Sequence, residues 1–208
     1  MIFLLMALGG LAQIWAWRLV AVRFLSIWTA TVPALATCGL AALVTERVSL
    51  SPKVSVAVAG VVGVVAGFAL YASTRAFLLA GRGSPMLRRA SSEVYAEQRT
   101  VPTPLAVVLS LAFAVPGEEL FWRGLFQGRA SGAFGAFGGA ALAWICYVLV
   151  NASSGFLALV AGALVGGATW GALAWWTHGV LAPLLCHGIW TTLMLVRPPV
   201  ARRAGAVL

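Results

Sequence analysis

The chain has little charge for its length and contains no aspartate. Charged residues make up 9% of the 208 residues, and all five acidic residues are glutamates. A soluble domain carries roughly a quarter charged residues, so this composition excludes an ordinary water-exposed surface. Apolar residues instead reach 62%, in repeated runs that approach the roughly 20 residues a helix needs to cross a bilayer.

Lysine is nearly absent as well, so the positive charge is almost entirely arginine. One lysine and thirteen arginines give a net charge of +9, and most lie between or beside the apolar runs. A nucleic-acid-binding surface gathers its basic residues on one polar face, whereas basic residues in loops orient a membrane protein. We therefore expect no nucleic-acid partner, and we expect Arg82, Arg88, Arg89 and Arg99 to meet anionic lipid headgroups.

Cysteine pairs with metal-ligand spacing are also missing from the sequence. Cys38, Cys146 and Cys186 each lie within an apolar run, and no pair has ligand spacing. Such cysteines are typical of small buried side chains. Zinc sites usually assemble more histidine or cysteine than this chain offers. We predict neither a metal nor another cofactor.

The apolar runs predict an all-α, polytopic transmembrane helix bundle of about seven spans. We expect the spans at about 2–17, 24–45, 54–80, 104–127, 134–150, 156–176 and 180–196. The polar segment between the third and fourth spans predicts a short surface helix from Ser91 to Arg99. We divide the chain into N-terminal spans with a cytoplasmic loop (1–100), a second helix bundle (101–196) and a cytoplasmic tail (197–208).

The basic residues orient this bundle. One set of loops holds nine of them: Arg18, Arg23, Arg82, Arg88, Arg89, Arg99, Arg197, Arg202 and Arg203. The opposite set holds three: Arg47, Lys53 and Arg129. Because positive charge favours the cytoplasmic side, we predict a multi-pass protein of the cell (inner) membrane with a cytoplasmic C-terminus.

Two of the glutamates fall inside an apolar run, as Glu118 and Glu119 followed by Arg123. An ionisable residue at membrane depth costs at least about 2.5 kcal/mol, so three together require a specific role. Glu119 and Arg123 are four residues apart, which places them on one helix face as an ion pair. Glu118 is turned about 100° away and is free to face a cavity as a general base. The alternative interpretation is a buried ion-pair network that only holds helices together.

Two further polar sites lie in the later spans. Asn151 ends the fifth span, four residues after Tyr147. His187 lies in the seventh span and is followed four residues later by Thr191, so the two share a helix face. Taken alone, His187 is explained equally well by an ordinary hydrogen bond between helices.

These residues form three motifs that resemble those of one family. The motifs are Glu-Glu-x-x-x-Arg from Glu118, Tyr-x-x-x-Asn ending at Asn151 and His-x-x-x-Thr from His187. Together they resemble the CPBP family of type II CAAX prenyl proteases and bacteriocin-processing proteins, which are glutamate-type intramembrane endopeptidases. The resemblance covers roughly residues 100–196, so 101–196 is predicted to be a CPBP-like catalytic bundle.

The resemblance implies a role for the residues of the first motif. Glu118 would activate the attacking water. Glu119 and Arg123 would support it electrostatically.

The second and third motifs depart from the family pattern. Tyr147 and Asn151 stand where the family usually has Phe-x-x-x-His, a histidine that helps to hold the water. Thr191 stands where an asparagine usually follows His187 to donate to the oxyanion. Asn151 can orient water but cannot exchange a proton near neutral pH, and Thr191 keeps one hydroxyl donor.

We therefore predict an intramembrane endopeptidase that cleaves a membrane-associated peptide or protein tail. Its last four spans are expected to enclose a polar cleft that opens toward the cytoplasm or the bilayer. The alternative is a non-catalytic relative that acts as an immunity or scaffold membrane protein. A carrier or channel is disfavoured because the polar residues gather in the later spans. Prenylated C-termini, bacteriocin leaders and C-terminal sorting tails stay open as substrates.

Overall fold

The computed structural model describes residues 2–45 and 52–199. Within these residues the chain forms helices and connecting turns with no strand, which confirms the predicted all-α class. In chain order the helices are α1 (Ile2–Ala21), α2 (Ile27–Thr45), α3 (Val56–Ala80), α4 (Pro85–Gln98), α5 (Thr103–Leu109), α6 (Val115–Glu119), α7 (Gly128–Ala152), α8 (Leu157–Thr177) and α9 (Leu181–Val196). Arg47, Arg202, Arg203 and the predicted tail beyond residue 199 lie outside the described residues.

Five helical stretches of the described chain are long and apolar enough to cross a membrane. They are α1, α2, α3, α8 and the continuous stretch Thr103–Ala152. Their outer faces are apolar: Phe68 on α3 is 54% exposed and Phe137 on α7 is 78% exposed. Such faces suit lipid, whereas a soluble protein rarely leaves large apolar patches in water. Helix α9 is apolar but has only 16 residues, and the count of about seven spans stays a prediction.

The stretch Thr103–Ala152 reverses direction at Gly135. The backbone of Gly135 has φ 74° and ψ 164°, a conformation that glycine tolerates and other residues rarely adopt. A straight helix would separate Glu118 and Tyr147 by about 43 Å. Their side chains instead lie 3.3 Å apart. The part of α7 after Gly135 therefore runs back beside α6, which brings the first and second motifs together.

Helix α4 is the amphipathic element of the fold. The Ser84 side chain accepts a hydrogen bond from the Leu87 amide, and Pro85 occupies the first turn, where its missing N–H leaves no bond unmade. The surface helix predicted from Ser91 to Arg99 is therefore found, but its start was predicted too late. The Ser-Pro pair is the sequence signal for the earlier start at Pro85.

A close contact between α3 and α9 fixes the position of the third motif. A Cβ atom on Gly63 would lie 2.6 Å from the Ala182 carbonyl oxygen, and one on Gly67 would lie 2.9 Å from the Cys186 carbonyl oxygen. Only glycine lets the two backbones approach this closely. Helix α9, which carries His187, is thus held against an N-terminal helix.

Hydrogen bonds near the helix ends show which ends lie together on each of the two sides of the bundle. The Lys53 amide donates to the Thr177 carbonyl at 2.8 Å, so the start of α3 lies beside the end of α8. The Trp28 indole donates to the Gln98 carbonyl at 3.3 Å, so the start of α2 lies beside the end of α4. These two groups of helix ends match the two sets of loops that the basic residues distinguish. Which side is cytoplasmic stays a prediction.

Candidate active site

The two glutamates lie in α6, a short helix between two π-helical turns, Ser110–Ala114 and Leu120–Gln127. Pro116 has no N–H and therefore cannot continue the α-helical hydrogen-bond ladder from the preceding turn. The π-helical turn directly before it accommodates this break. Such turns inside longer helices are frequent at functional sites.

Helix α2 passes directly over α6 at Gly117. A Cβ atom on Gly117 would collide with the Leu35 carbonyl, and one on Gly39 would lie 2.6 Å from the Gly117 Cα. Glycine at both positions lets the two backbones touch. Glu118, the next residue, is thereby fixed by the packing of its own backbone.

Glu119 is fully buried and contacts two partners through one oxygen. Its Oε1 lies 3.3 Å from Arg123 Nη1 and 2.8 Å from His187 Nδ1. The predicted pairing of Glu119 with Arg123 is confirmed. Because this carboxylate faces a guanidinium, it acts as the acceptor, and His187 Nδ1 is the donor. The imidazole is thereby oriented with Nε2 toward Glu118.

Arg123 and His187 lie among aromatic rings. The Arg123 guanidinium is 4.6 Å from the centre of the Tyr147 ring and 5.3 Å from that of Trp170, and its Nη2 donates to the Gly167 carbonyl at 3.3 Å. Trp170 also stacks on the His187 imidazole, with ring centres 3.7 Å apart and planes inclined by 14°. The π faces stabilise the guanidinium and fix the plane of the imidazole.

Glu118 faces the other way, as predicted, and lines a cavity. Its Oε2 accepts a hydrogen bond from the Tyr147 hydroxyl at 3.3 Å and lies 3.7 Å from His187 Nε2. The residue is 8% exposed, whereas Glu119 is 0% exposed. Of the two carboxylates, only that of Glu118 is therefore accessible to a reactant.

The cavity has a volume of about 570 Å³ and reaches from Glu118 to α4. Its walls are mainly apolar and include Trp28 of α2, Leu70 of α3, Tyr95 of α4 and Trp190 of α9. The expectation of a polar cleft enclosed by the last four spans is therefore wrong. Earlier helices form part of the wall because α2 packs on α6 and α3 packs on α9.

Asn151 and Thr191 line the same cavity as Glu118 and His187. The Asn151 side-chain amide donates to the Tyr147 carbonyl one turn earlier at 2.9 Å. Within the described chain it makes no hydrogen bond to either carboxylate. The structure thus brings Glu118, Glu119, Arg123 and His187 into direct contact, and places Asn151 and Thr191 at the cavity wall around them.

Three contributors to the site were not predicted. They are the hydroxyl of Tyr147, the ring of Trp170 and the pairing of Trp122 with Gln13, whose Oε1 accepts from the Trp122 indole at 2.9 Å. The four-residue spacing of Tyr147 and Asn151 indicated a shared face and was a usable signal. Trp170 and Gln13 come from other helices, so no local spacing pointed to them.

No metal-binding group emerges from the described residues. Within the described residues, 2–45 and 52–199, no set of three or more histidine, cysteine, aspartate or glutamate side chains could hold a metal ion. The absence of a cofactor stays a prediction.

Comparison with known proteins bears on the later half of the chain. Residues 100–193 match the family model described as Type II CAAX prenyl endopeptidase Rce1-like. Comparisons with curated proteins and with solved structures found no match. The matched segment contains all three motifs, and the family is one of intramembrane proteases. Over residues 100–193, just under half of its length, this multi-pass membrane protein thus matches the CPBP-type family that its motifs resemble.

Proposed function

We propose that the protein is an intramembrane endopeptidase in which Glu118 is the general base. The observation that carries this proposal is the unequal placement of the two glutamates. Glu119 is enclosed and bound to Arg123 and His187, whereas Glu118 lines the cavity. A general base must reach the proton that it removes, and Glu118 meets this requirement.

The reaction is the addition of water to a peptide carbonyl. Glu118 takes a proton from water while the water oxygen bonds to the carbonyl carbon. The carbon–nitrogen bond then breaks, and Glu118 returns the proton to the leaving amine. The products are a new carboxyl terminus and a new amino terminus. Glu118 acts first as a base and then as an acid, so it ends the cycle as the carboxylate that it was at the start.

Charge that develops on the carbonyl oxygen needs donors fixed in advance. Thr191 offers a hydroxyl at the cavity wall one turn after His187. His187 presents its Nε2 on the side of Glu118, 3.7 Å from Glu118 Oε2. Asn151 lines the same wall and can hold the attacking water.

The substrate class follows from the family and from the cavity. Members of a CAAX-type protease family act on membrane-associated peptides, and the mainly apolar walls suit such a segment. The cavity reaches α4, whose arginine-rich surroundings we assign to the cytoplasmic side of the cell membrane. The substrate tail therefore enters from the cytoplasm, and membrane lipids surround the bundle.

The test compares the termini of membrane proteins in three strains by mass spectrometry. One strain lacks the protein, one carries the wild type and one carries Glu118→Gln. We expect new termini in the wild-type strain and none in the other two, because the amide keeps the shape of the side chain but cannot act as a base. Protein level in the membrane is measured in parallel.

A matched control changes a glutamate away from the cavity. Glu93→Gln removes a carboxylate from α4 that pairs with Arg89 at 2.9 Å on the surface. This variant should produce the same termini as the wild type. Termini that form equally with Glu118→Gln would instead favour the scaffold or immunity alternative.

A further inference from the structure

The Tyr147 hydroxyl is the one polar group of the second motif that touches Glu118. It donates to Glu118 Oε2 at 3.3 Å, from a ring that is itself 4% exposed. Tyr147 lines the same cavity as Glu118, so the hydroxyl faces this carboxylate and any reactant beside it. Its hydrogen bond crosses from α7 to α6.

Asn151, the motif's other polar residue, is directed elsewhere. Its amide donates to the Tyr147 carbonyl of its own helix at 2.9 Å. That bond commits a side-chain donor of Asn151 to the backbone of its own helix. The donor capacity facing Glu118 from α7 therefore belongs to Tyr147.

The Tyr147 ring is held by contacts that do not involve its hydroxyl. Its centre lies 5.6 Å from that of Trp122, 6.3 Å from that of Trp170 and 4.6 Å from the Arg123 guanidinium. Trp122 is in turn fixed by Gln13 of α1 at 2.9 Å. Three surrounding groups, one of them anchored by Gln13, thus aim the hydroxyl at Glu118. This degree of fixation is what a positioning group requires.

From this geometry we infer that Tyr147 is a positioning residue of the proposed hydrolysis. Its hydroxyl holds the Glu118 carboxylate in the orientation that receives the proton from water. The role rests on the proposed function, since it acts through Glu118. Asn151 keeps the predicted role of orienting the water, and position 147 gains a directed hydrogen bond to the base.

The test is Tyr147→Phe, which removes the hydroxyl and leaves the ring and its contacts. The probe is a synthetic peptide that spans a cleavage site identified by the comparison of termini, with purified full-length protein in lipid nanodiscs. We expect kcat to fall on the order of 10- to 100-fold, the range for loss of one hydrogen bond to a charged group. KM should change by less than about threefold, because the hydroxyl acts on the reacting group and not on substrate affinity.

The control is Tyr71→Phe, which also removes a tyrosine hydroxyl that donates a hydrogen bond, here at an exposed position. That hydroxyl donates to the Arg197 carbonyl at 2.6 Å, outside the cavity. Its kcat should equal that of the wild type. An equal fall in both variants would mean that the loss is structural and would overturn the inference.

Parallel measurement of Glu118→Gln separates the two proposals. If Glu118→Gln is inactive while Tyr147→Phe keeps the wild-type kcat, the role of Tyr147 is wrong and the proposed function stands. If Glu118→Gln keeps the wild-type kcat, the proposed function is wrong. The role of Tyr147 is then wrong as well, because it acts through Glu118.

Discussion

At the scale of single residues, the site depends on giving two adjacent glutamates different surroundings. Glu119 is enclosed by Arg123 and His187, while Glu118 is left facing the cavity. A rotation of about 100° per residue makes this division possible within one helix. The same division separates stability from the proposed chemistry, because the enclosed pair can hold helices together while the other carboxylate stays open to a reactant.

The enclosed pair should therefore matter for folding as well as for activity. Glu119→Gln and Arg123→Met each leave a buried charged partner without its counter-charge, at a cost of roughly 3–5 kcal/mol. We expect less folded protein in the membrane and a lower midpoint of thermal unfolding for both variants. Glu118→Gln should leave both quantities near the wild-type values.

A second ion pair with the same spacing provides the control. Arg89 and Glu93 pair at 2.9 Å on α4, with 83% and 39% of their side chains exposed. Exposed pairs contribute about 0–1 kcal/mol, so Arg89→Met should hardly change the midpoint. A fall as large as that of Arg123→Met would contradict the assignment of the loss to burial.

Sequence reasoning succeeded at this scale where local spacing decides. The pairing of Glu119 with Arg123 and the rotation of Glu118 away from that pair follow from helical periodicity alone. The contact of His187 with Glu119 and the stacking of Trp170 on His187 join residues from three separate helices. Those contacts depend on how the helices are arranged, which one sequence does not specify.

At the scale of helices, glycines decide which pairs of helices touch. Gly117 lets α2 meet α6, and Gly63 and Gly67 let α3 meet α9. In lipid there is little hydrophobic drive between helices, so close backbone packing supplies the association. The N-terminal helices thereby hold two of the three motifs in place, although the resemblance to the family lies in the later half of the chain.

Two glycines of α3 make this claim testable within one helix. Gly63→Ala places a Cβ atom 2.6 Å from a carbonyl oxygen of α9, whereas nothing lies within 4 Å of a Cβ atom at Gly60. We expect Gly63→Ala to lower the free energy of unfolding by about 1–3 kcal/mol, through overpacking. Gly60→Ala should be neutral or stabilising, since alanine favours helix more than glycine.

Thermal unfolding in nanodiscs, followed by tryptophan fluorescence, measures both variants. Gly63→Ala should also lower activity, because α9 carries His187. Equal midpoints for Gly60→Ala and Gly63→Ala would show that the α3–α9 contact does not stabilise the bundle.

Helix boundaries were predictable only in part. The ends of the apolar runs located most helices to within a few residues. The start of α4 was predicted too late because its Ser84-Pro85 signal was overlooked, and the π-helical turns around α6 leave no periodic pattern in the sequence. The chain reverses at Gly135, which is one of several glycines in that stretch, so the sequence does not single out the position of the reversal.

At the scale of the whole molecule, the bundle has two sides and a cavity between them. Loop contacts group the ends of α2 and α4 on one side, and those of α3 and α8 on the other. In the sequence, the basic residues divide nine to three between the two predicted sets of loops. The cavity reaches the side with α4, where the positive charge is concentrated.

Labelling of single introduced cysteines tests which side is cytoplasmic. Ser92→Cys and Lys53→Cys place thiols at exposed positions on the two sides, in a background without the native cysteines. We expect a membrane-impermeant maleimide to label Lys53→Cys in intact cells and Ser92→Cys only after the membrane is opened. The reverse pattern would place the substrate entrance outside the cell.

The central claim is that Glu118 removes the proton from the attacking water. Its most direct test is kcat for Glu118→Gln and for the wild type, with both proteins purified in nanodiscs and assayed on the same cleavage-site peptide. Loss of a general base costs on the order of 10²–10⁴-fold in rate, so kcat should fall by at least about 100-fold with the midpoint of unfolding unchanged. A Glu118→Gln protein that cleaves the peptide within about threefold of the wild-type kcat would contradict the claim.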